Sequence, residues 1–172
     1  YLLLAAGDGH MCGLLPELQA ECWGGAIGLP ALGPFRIISR GGDHACGVLL
    51  DSNVICWGSD TFGQVSGAPL DTPLIEIAGG GAHTCGIRAN GTALCWGDNS
   101  FSQSAPPLPA RTYVDISTGD RHTCAIRTSG PVDCWGDGSS GQTNAPIGGV
   151  FESLTVADTW SCGIRSDGSV TC

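Results

Sequence analysis

The sequence predicts an all-β protein built from repeats of one small antiparallel unit. Its ten cysteines fall into five pairs with the spacing Cys-x9-Cys, and the first cysteines of successive pairs lie 34, 39, 39 and 38 residues apart. A fixed period of about 20–50 residues is typical of repeat architectures. Apolar and small polar residues alternate before each pair, as in a strand, and turn-forming dipeptides separate the two cysteines of several pairs.

Alignment on the first cysteine of each pair divides the chain into four full repeats and a half repeat. The first repeat is degenerate and the last one stops at its second cysteine, and atypical terminal repeats are expected of such arrays. We expect the repeats to form one domain over 1–172, which stands alone or belongs to a longer chain. The repeats are 1–34, 35–73, 74–112, 113–150 and 151–172.

The sequence pattern predicts three or four short strands in each repeat. An apolar segment leads into a Gly turn, and the second strand carries the pattern His-x-Cys-x-Ile, which puts three side chains on one face. A hairpin turn such as Asn90-Gly91 follows, and the return strand ends in Cys-Trp-Gly. The Gly-Gln-Ala-Pro segment after it is expected to be a loop, because proline cannot donate to a central ladder. This strand number matches a β-propeller blade, so we expect a propeller of about five blades, or part of a larger one.

The two cysteines of each pair are placed symmetrically about the hairpin turn and should face each other across two strands. Facing residues of an antiparallel pair have Cα atoms about 4.5–5.5 Å apart, within reach of a disulfide. Five disulfide-clipped hairpins are the leading interpretation, and they imply an oxidising compartment. The alternative is zinc, since His-x-Cys and the second cysteine offer three ligands per repeat, although a tetrahedral site needs a fourth. The expected bonds are Cys12–Cys22, Cys46–Cys56, Cys85–Cys95, Cys124–Cys134 and Cys162–Cys172.

Histidine and tryptophan also recur at fixed positions, and both are expected to be structural. Each imidazole should pack on the blade face and bond a backbone group in the Gly turn; Trp160 replaces histidine in the fifth repeat, which argues against a catalytic base. The indoles should be largely buried between blades. The histidines are His10, His44, His83 and His122, and the tryptophans are Trp23, Trp57, Trp96 and Trp135.

Composition and charge exclude several classes of function. A net charge of −9 argues against nucleic-acid binding, which needs a basic face. No apolar run approaches the length of a membrane span. We find no catalytic constellation and expect no cofactor and no metal site. Aspartates after the Trp-Gly pairs leave calcium as an alternative, although they lack the carboxylate density of a calcium loop; they are Asp60, Asp98 and Asp137.

The hairpin turn of the third repeat contains an acceptor motif for N-linked glycan. Asn90-Gly91-Thr92 fits Asn-x-Ser/Thr, and a turn tip is exposed to solvent. An Asn-Gly pair is also simply a favoured hairpin turn. Asn90 is therefore a candidate glycosylation site if the protein is secreted by a eukaryotic cell.

The repeat pattern resembles that of the RCC1 (regulator of chromosome condensation 1) superfamily. The clearest copies lie at 83–87 with 95–97 and at 122–126 with 134–136, where His-Thr-Cys-x-Ile is followed by Cys-Trp-Gly. The cysteine-containing form is similar to the extracellular repeats of crinkly-type receptor kinases. This resemblance implies a propeller, which in the family usually closes with seven blades. It implies little about function, because the family includes exchange factors, enzyme inhibitors, receptor ectodomains and scaffolds.

These observations favour a non-enzymatic domain that is secreted or displayed at the cell surface and binds other proteins. Our leading expectation is a building block of an extracellular filament, appendage or matrix, because a half repeat leaves strand edges unpaired and such edges attract another strand. Self-assembly or another extracellular protein would then supply the partner. The alternatives are a ligand-binding ectodomain of a crinkly-type receptor and a secreted enzyme inhibitor.

Overall fold

The computed structural model of the chain describes residues 1–6, 9–24, 33–107 and 111–172. Over these ranges all regular structure is β-strand, and no helix there is long and apolar enough to cross a lipid bilayer. The strands are β1 (Leu3–Ala6), β2 (His10–Leu14), β3 (Ala20–Gly24), β4 (Phe35–Arg40), β5 (His44–Leu49), β6 (Val54–Gly58), β7 (Leu74–Gly79), β8 (His83–Arg88), β9 (Ala93–Gly97), β10 (Tyr113–Thr118), β11 (His122–Arg127), β12 (Val132–Gly136), β13 (Phe151–Val156), β14 (Ser161–Arg165) and β15 (Val170–Thr171).

Each repeat folds into one three-stranded antiparallel sheet, which we number as blades 1 to 5 in chain order. The strands of every sheet follow one another in sequence, with β1-β2-β3 in blade 1 and β13-β14-β15 in blade 5. The Gly-Gln-Ala-Pro segments contribute no strand in blades 2 to 4, as the sequence predicts. The expected all-β propeller of disulfide-clipped blades is therefore confirmed.

The hydrophobic core is divided among the interfaces between successive blades. At the interface of blades 3 and 4, Cys85 and Ile87 of one blade pack against Tyr113, Ile116 and Trp135 of the next. The same positions meet at the interfaces of blades 1 and 2 and of blades 2 and 3. At the interface of blades 4 and 5, Cys124 and Ile126 pack against Phe151 without a tryptophan. Because each middle blade packs one face on its predecessor and the other on its successor, the second strands β5, β8 and β11 are buried on both faces.

The first strands of successive blades lie side by side and are joined by side-chain hydrogen bonds. Ser39 Oγ accepts the Gly79 amide at 2.9 Å, and Ser117 Oγ accepts the Val156 amide at 3.2 Å. The Asp115 carboxylate accepts the Leu154 amide at 2.9 Å. These bonds satisfy backbone donors that strand pairing within a blade leaves free, and they link the first strands of neighbouring blades.

Candidate functional site at the blade interfaces and end faces

All ten cysteines lie in the described ranges, and they form the five intra-hairpin disulfides that the sequence predicts. In blade 3, Cys85 is the direct register partner of Cys95, and their Cα atoms lie 4.1 Å apart. No described cysteine is free. The zinc alternative is therefore wrong, because disulfide sulfurs are not thiolate ligands.

The inner histidines link each blade to the next through a hydroxyl group. His44 Nε2 is hydrogen-bonded to Thr84 Oγ1 at 2.7 Å, and His83 Nε2 is hydrogen-bonded to Thr123 Oγ1 at 2.9 Å. In blade 4 the partner of His122 is a serine hydroxyl of blade 5, at 2.8 Å. The predicted bond to a backbone group in the Gly turn is wrong. The turn glycine instead makes room for the ring, since a Cβ at Gly80 would lie 2.3 Å from His83 Cε1.

Burial keeps these imidazoles neutral. It lowers the pKa of His44 to about 4, with a further contribution from the positive charge of Arg40. Burial also lowers the pKa of His83 to about 4, with His44 adding to the shift, and it lowers the pKa of His122. Both His44 and His83 are fully buried, so no substrate reaches them. This geometry supports a structural role for the inner histidines.

His10 of blade 1 has a different partner. The blade 2 residue that corresponds to Thr84 is Ala45, which carries no hydroxyl. The guanidinium of Arg40 takes its place: Nε donates to His10 Nε2 at 2.6 Å, and a terminal nitrogen donates to the His10 carbonyl at 2.9 Å. A buried arginine thus joins blades 1 and 2 where the others use a neutral hydroxyl.

Three of the four tryptophans in the Trp-Gly pairs fill the interface with the preceding blade. Trp57, Trp96 and Trp135 are each 7% exposed. Trp96 Nε1 donates to the Gln64 carbonyl at 3.0 Å, and Trp135 Nε1 donates to the Gln103 carbonyl at 2.9 Å. The loop glutamines of blades 2 and 3 therefore present their backbone carbonyls to the indole of the next blade.

The prediction of burial is wrong for Trp23, which is 42% exposed. Each indole packs on the blade that precedes its own, and the described residues contain no blade before blade 1. Trp23 contacts the ring of Tyr1 instead, with the ring centroids 5.5 Å apart. The position in the repeat is the same as that of Trp96, but the surface that would cover it is missing from the described structure.

The aspartates of the Trp-Gly loops are loop caps. Asp60 Oδ1 accepts the amides of Val65 and Ser66 at 2.8 and 2.9 Å, and these bonds lower the pKa of the Asp60 carboxyl. Asp98 likewise accepts bonds from Ser100 and from the Gln103 side chain. Within the described ranges, no group of three or more His, Cys, Asp or Glu side chains is placed to hold a metal ion. The structure gives the calcium alternative no support.

Asn90 lies at an exposed hairpin tip in blade 3. Its side-chain oxygen accepts bonds from the Thr92 amide at 3.0 Å and from the Thr92 hydroxyl at 2.7 Å. The two residues of the acceptor motif are thus held together in a local turn. Glycosylation of Asn90 stays a prediction.

The two ends of the array expose the two halves of a blade interface. We define the blade 1 face as Tyr1, Leu4 and Trp23, which correspond to Tyr113, Ile116 and Trp135 in blade 4. We define the blade 5 face as Cys162, Ile164 and Val170, which correspond to Cys124, Ile126 and Val132. Ile164 is 45% exposed where Ile126 is 1% exposed, and Val170 is 65% exposed where Val132 is 9% exposed.

A family model for the regulator of chromosome condensation (RCC1) repeat matches residues 36–64, 75–103 and 113–142, just over half of the chain. The chain belongs to the RCC1 repeat family. The three matches correspond to blades 2, 3 and 4, whose sequences are the most regular. No curated protein sequence gives a significant match to the chain.

Two solved structures of receptor-kinase ectodomains are similar to the chain. The ectodomain of the receptor kinase CR4 from Physcomitrella patens is 30% identical, with a TM-score of 0.81, over 95% of this chain and 49% of that one. The CRINKLY WD40 ectodomain of the receptor kinase ACR4 from Arabidopsis thaliana is 27% identical, with a TM-score of 0.83, over 98% of this chain and 70% of that one. This chain thus spans about half of the CR4 ectodomain and is similar to the crinkly form.

A more distant structure shares the fold alone. Prp20p from Saccharomyces cerevisiae, whose binding to Gsp1p and histones has been described, is 15% identical over 97% of this chain and 55% of its own, with a TM-score of 0.78. The agreement confirms the propeller fold.

Proposed function

We propose that this chain is a non-catalytic, extracellular protein-interaction unit whose two end faces bind matching blade faces and so build an extracellular assembly. The observation that carries the proposal is the exposure of Trp23, 42% against 7% for its three equivalents. Adjoining exposed apolar side chains mark interaction surfaces in soluble proteins. The same side chains already form a stable interface at equivalent positions inside the array.

The two end faces are complementary to each other. The blade 1 face carries the large side chains that insert into a neighbour, as Tyr113 and Trp135 do between blades 3 and 4. The blade 5 face carries the disulfide and branched side chains that receive them, as Cys124 and Ile126 do for Phe151. A contact between two different faces is heterologous, and it propagates into a filament unless the rotation closes.

The extracellular setting is supported by the cysteine chemistry and by the similar structures. Five hairpin disulfides persist only in an oxidising compartment. The two structures of highest identity described above are both receptor-kinase ectodomains. The buried, neutral histidines and the lack of a free thiol among the described residues support a function without catalysis.

A second candidate is a ligand-binding ectodomain of a crinkly-type receptor. The identities of 30% and 27% to two such ectodomains favour it. In that case, further blades of the same polypeptide cover the two end faces, and association between separate copies is not their purpose.

Charge substitution in the end faces tests the assembly. Sedimentation velocity of the 172-residue protein should show dimers and longer species that grow with concentration. Trp23→Asp and Val170→Asp should each abolish association, because each places an unpaired charge at the centre of one face. Ile147→Asp is the matched control, since Ile147 is fully exposed in the loop between β12 and β13 and belongs to neither face.

Mixing the two variants tests whether the contact is head-to-tail. Trp23→Asp keeps an intact blade 5 face and Val170→Asp keeps an intact blade 1 face, so the mixture should form a heterodimer and stop there. Assembly of either variant alone would contradict the proposed contact. A wild-type protein that stays monomeric up to about 1 mM, the concentration that corresponds to weak binding, would overturn the assembly proposal and favour the receptor candidate.

A further inference from the structure

The interface between blades 3 and 4 contains a cavity of about 250 Å³ beside the hairpin turn of blade 3. Sites for drug-sized ligands have volumes of about 300–1,000 Å³, so this smaller space suits a single side chain of a partner. Two arginines line it, one from β8 and one from the segment that leads into β10, together with proline and tyrosine walls. The lining includes Arg88, Thr92, Pro106, Pro107, Arg111 and Tyr113.

The arginine from β8 is held in place without an ionic partner. One terminal nitrogen of Arg88 donates to Thr92 Oγ1 and to the Ala93 carbonyl, both at 3.1 Å. No described carboxylate forms an ion pair with Arg88, and its Nε and its other terminal nitrogen have no acceptor among the described residues. A guanidinium carries more N–H donors than these two bonds use. Arg88 is therefore oriented by blade 3 while part of its planar fork stays available to a ligand.

The second arginine shares its carboxylate with another arginine. Arg111 donates to Asp133 Oδ1 at 2.7 Å, and Arg127 Nε donates to Asp133 Oδ2 at 2.7 Å. The Tyr113 hydroxyl donates to the same carboxylate at 3.1 Å. Since Arg88 has no ionic partner, three guanidinium groups and one carboxylate give this region a local charge of +2, in a chain whose net charge is −9.

The packing of the blades does not require two arginines at this place. At the interface of blades 2 and 3, the equivalent residues are Leu49 and Thr72. At the interface of blades 4 and 5, they are Arg127 and Gly149. Both interfaces bury an apolar core without the arginine pair. The pair at blades 3 and 4 is thus an addition to the repeat, which favours a role in binding.

Blade 4 shows what an arginine at this position of the repeat binds. Arg127 is the equivalent of Arg88, and it donates to the Asp133 carboxylate through Nε at 2.7 Å and through a terminal nitrogen. Two parallel N–H donors of a guanidinium match the two oxygens of a carboxylate. In blade 3 the equivalent of Asp133 is Leu94, which has no carboxylate. The ligand chemistry that fits the cavity is therefore a carboxylate supplied by another molecule.

We propose that the cavity between blades 3 and 4 binds an aspartate or glutamate side chain from an extended segment of a partner protein. The carboxylate pairs with Arg88 and Arg111, and an apolar neighbour in the segment packs on Pro106 and Pro107. At physiological ionic strength, exposed charges more than about 8 Å apart are largely screened, so the net charge of −9 does not prevent this short-range contact. The proposal uses neither end face, so it and the assembly can fail separately.

Two peptides of nearly equal shape test the site. The probe is acetyl-Leu-Glu-Leu-amide, and the control is acetyl-Leu-Gln-Leu-amide, which lacks only the charge. Titration of the 15N-labelled protein in physiological salt should shift the Thr92 and Ala93 amide signals and the Arg88 Nε signal, with a Kd of about 1 mM for the glutamate peptide. The glutamine peptide should bind about tenfold more weakly, a difference of about 1.4 kcal/mol. Equal binding, or no shift at these groups, would overturn the proposal.

Sulfate distinguishes a peptide carboxylate from anions in general. Sodium sulfate should shift the same signals at least about tenfold more weakly than the glutamate peptide, because it offers no apolar side chain to Pro106 and Pro107. Sulfate binding as tight as that of the peptide would contradict a site for a polypeptide segment.

A matched pair of substitutions locates the binding. Arg88→Leu introduces the residue that blade 2 has at this position, Leu49, and should weaken binding of the glutamate peptide about tenfold or more. Arg121→Leu makes the same change in net charge outside the cavity lining, where Arg121 pairs with Asp120 and lies over the Phe101 ring. It should leave the Kd unchanged within about twofold. Equal losses in the two variants would mean that net charge alone controls binding.

A second variant covers the case in which Arg88→Leu does not fold. Arg111→Thr introduces the residue at the equivalent position of the preceding repeat, Thr72, and leaves Asp133 its bond to Arg127. It should weaken binding of the glutamate peptide about fivefold or more and leave that of the glutamine peptide unchanged. An undiminished preference for glutamate in this variant would place the carboxylate elsewhere and overturn the proposal.

Discussion

Blades 3 and 1 have the same cysteine spacing and the same histidine and tryptophan positions, yet their aromatic side chains differ in environment. Trp96 is enclosed between two blades and donates to a carbonyl, whereas Trp23 contacts solvent and the ring of Tyr1. The difference arises from the neighbours: a blade face is buried only when another blade covers it. A repeat residue therefore has a fixed place in its blade but a stability contribution set by its position in the array.

The largest expected difference concerns the two indoles. Trp96→Ala should lower the free energy of unfolding by about 3–5 kcal/mol, because it leaves a cavity in a core interface. Trp23→Ala is the matched control and should cost less than about 1 kcal/mol in the monomer, as expected of a partly exposed side chain. Urea denaturation followed by circular dichroism gives both values. Equal losses would mean that Trp23 is covered in solution.

The fully buried histidines should contribute most to the pH dependence of the protein's stability. The folded pKa of His83 is about 4, below its ordinary value of 6.5, so the unfolded state binds a proton that the folded state does not. Stability should therefore be complete above pH 6.5 and should fall as the pH decreases to about 4, by about 3 kcal/mol for His83.

The variant His83→Gln isolates this contribution. It should be less stable than wild type at pH 7, but the difference should shrink as the pH falls, which urea melts at several pH values measure. The subtraction removes the contribution of Glu76, whose pKa burial and Asp115 raise to about 7 and which has the opposite slope. A difference that stays constant from pH 7 to 4 would show that His83 is already protonated in the folded state or does not change its pKa.

Removal of one disulfide should have a smaller effect on stability. The loss should again differ between a blade in the middle of the array and the blade at its end. Cys85→Ala with Cys95→Ala should cost about 2–3 kcal/mol from loop closure alone, with further loss from packing because Cys85 is fully buried. Cys162→Ala with Cys172→Ala removes a disulfide that closes a loop of the same length at the exposed end. It should lower the free energy of unfolding by the loop-closure contribution alone. Thermal denaturation of the two double variants tests the order.

Glycosylation at Asn90 should have the smallest effect on stability. Protein secreted from a eukaryotic cell line should carry a glycan that a peptide glycosidase removes, and Asn90→Gln should lack the mass increment. Because the hairpin tip is exposed, loss of the glycan should change the unfolding free energy by less than about 0.5 kcal/mol. An unmodified Asn90 in that protein would remove the glycan from the set of expected partners.

The spacing of cysteines and turn residues within one repeat was sufficient to predict most of the blade. The distance between the paired cysteines and the turn dipeptide between them fixed the hairpin register, and the register placed each cysteine opposite its partner. The strands, the loop at the Gly-Gln-Ala-Pro segment and the five bonds follow from contacts within about 40 residues, which period and turn chemistry describe well. The family resemblance rests on the same local pattern.

The hydroxyl partners of the inner histidines were visible in the sequence but were missed. Thr84, Thr123 and Ser161 each directly precede the first cysteine of their repeat, while blade 2 has Ala45 there. A comparison of this column with the histidine of the preceding repeat would have suggested both the hydroxyl bonds and the exception at His10. The signal joins residues about 40 positions apart, so no strand or turn pattern reports it.

Only the tertiary structure decided which copies of a repeated residue are buried and which side chains join one blade to the next. The exposure of Trp23 and the insertion of Arg40 beside His10 both depend on the face that a neighbouring blade presents. The physical reason is that burial is a property of two surfaces, whereas the repeat pattern in a sequence describes only one. The sequence thus determined the blade, and the packing of blade on blade determined which of its repeated side chains are buried.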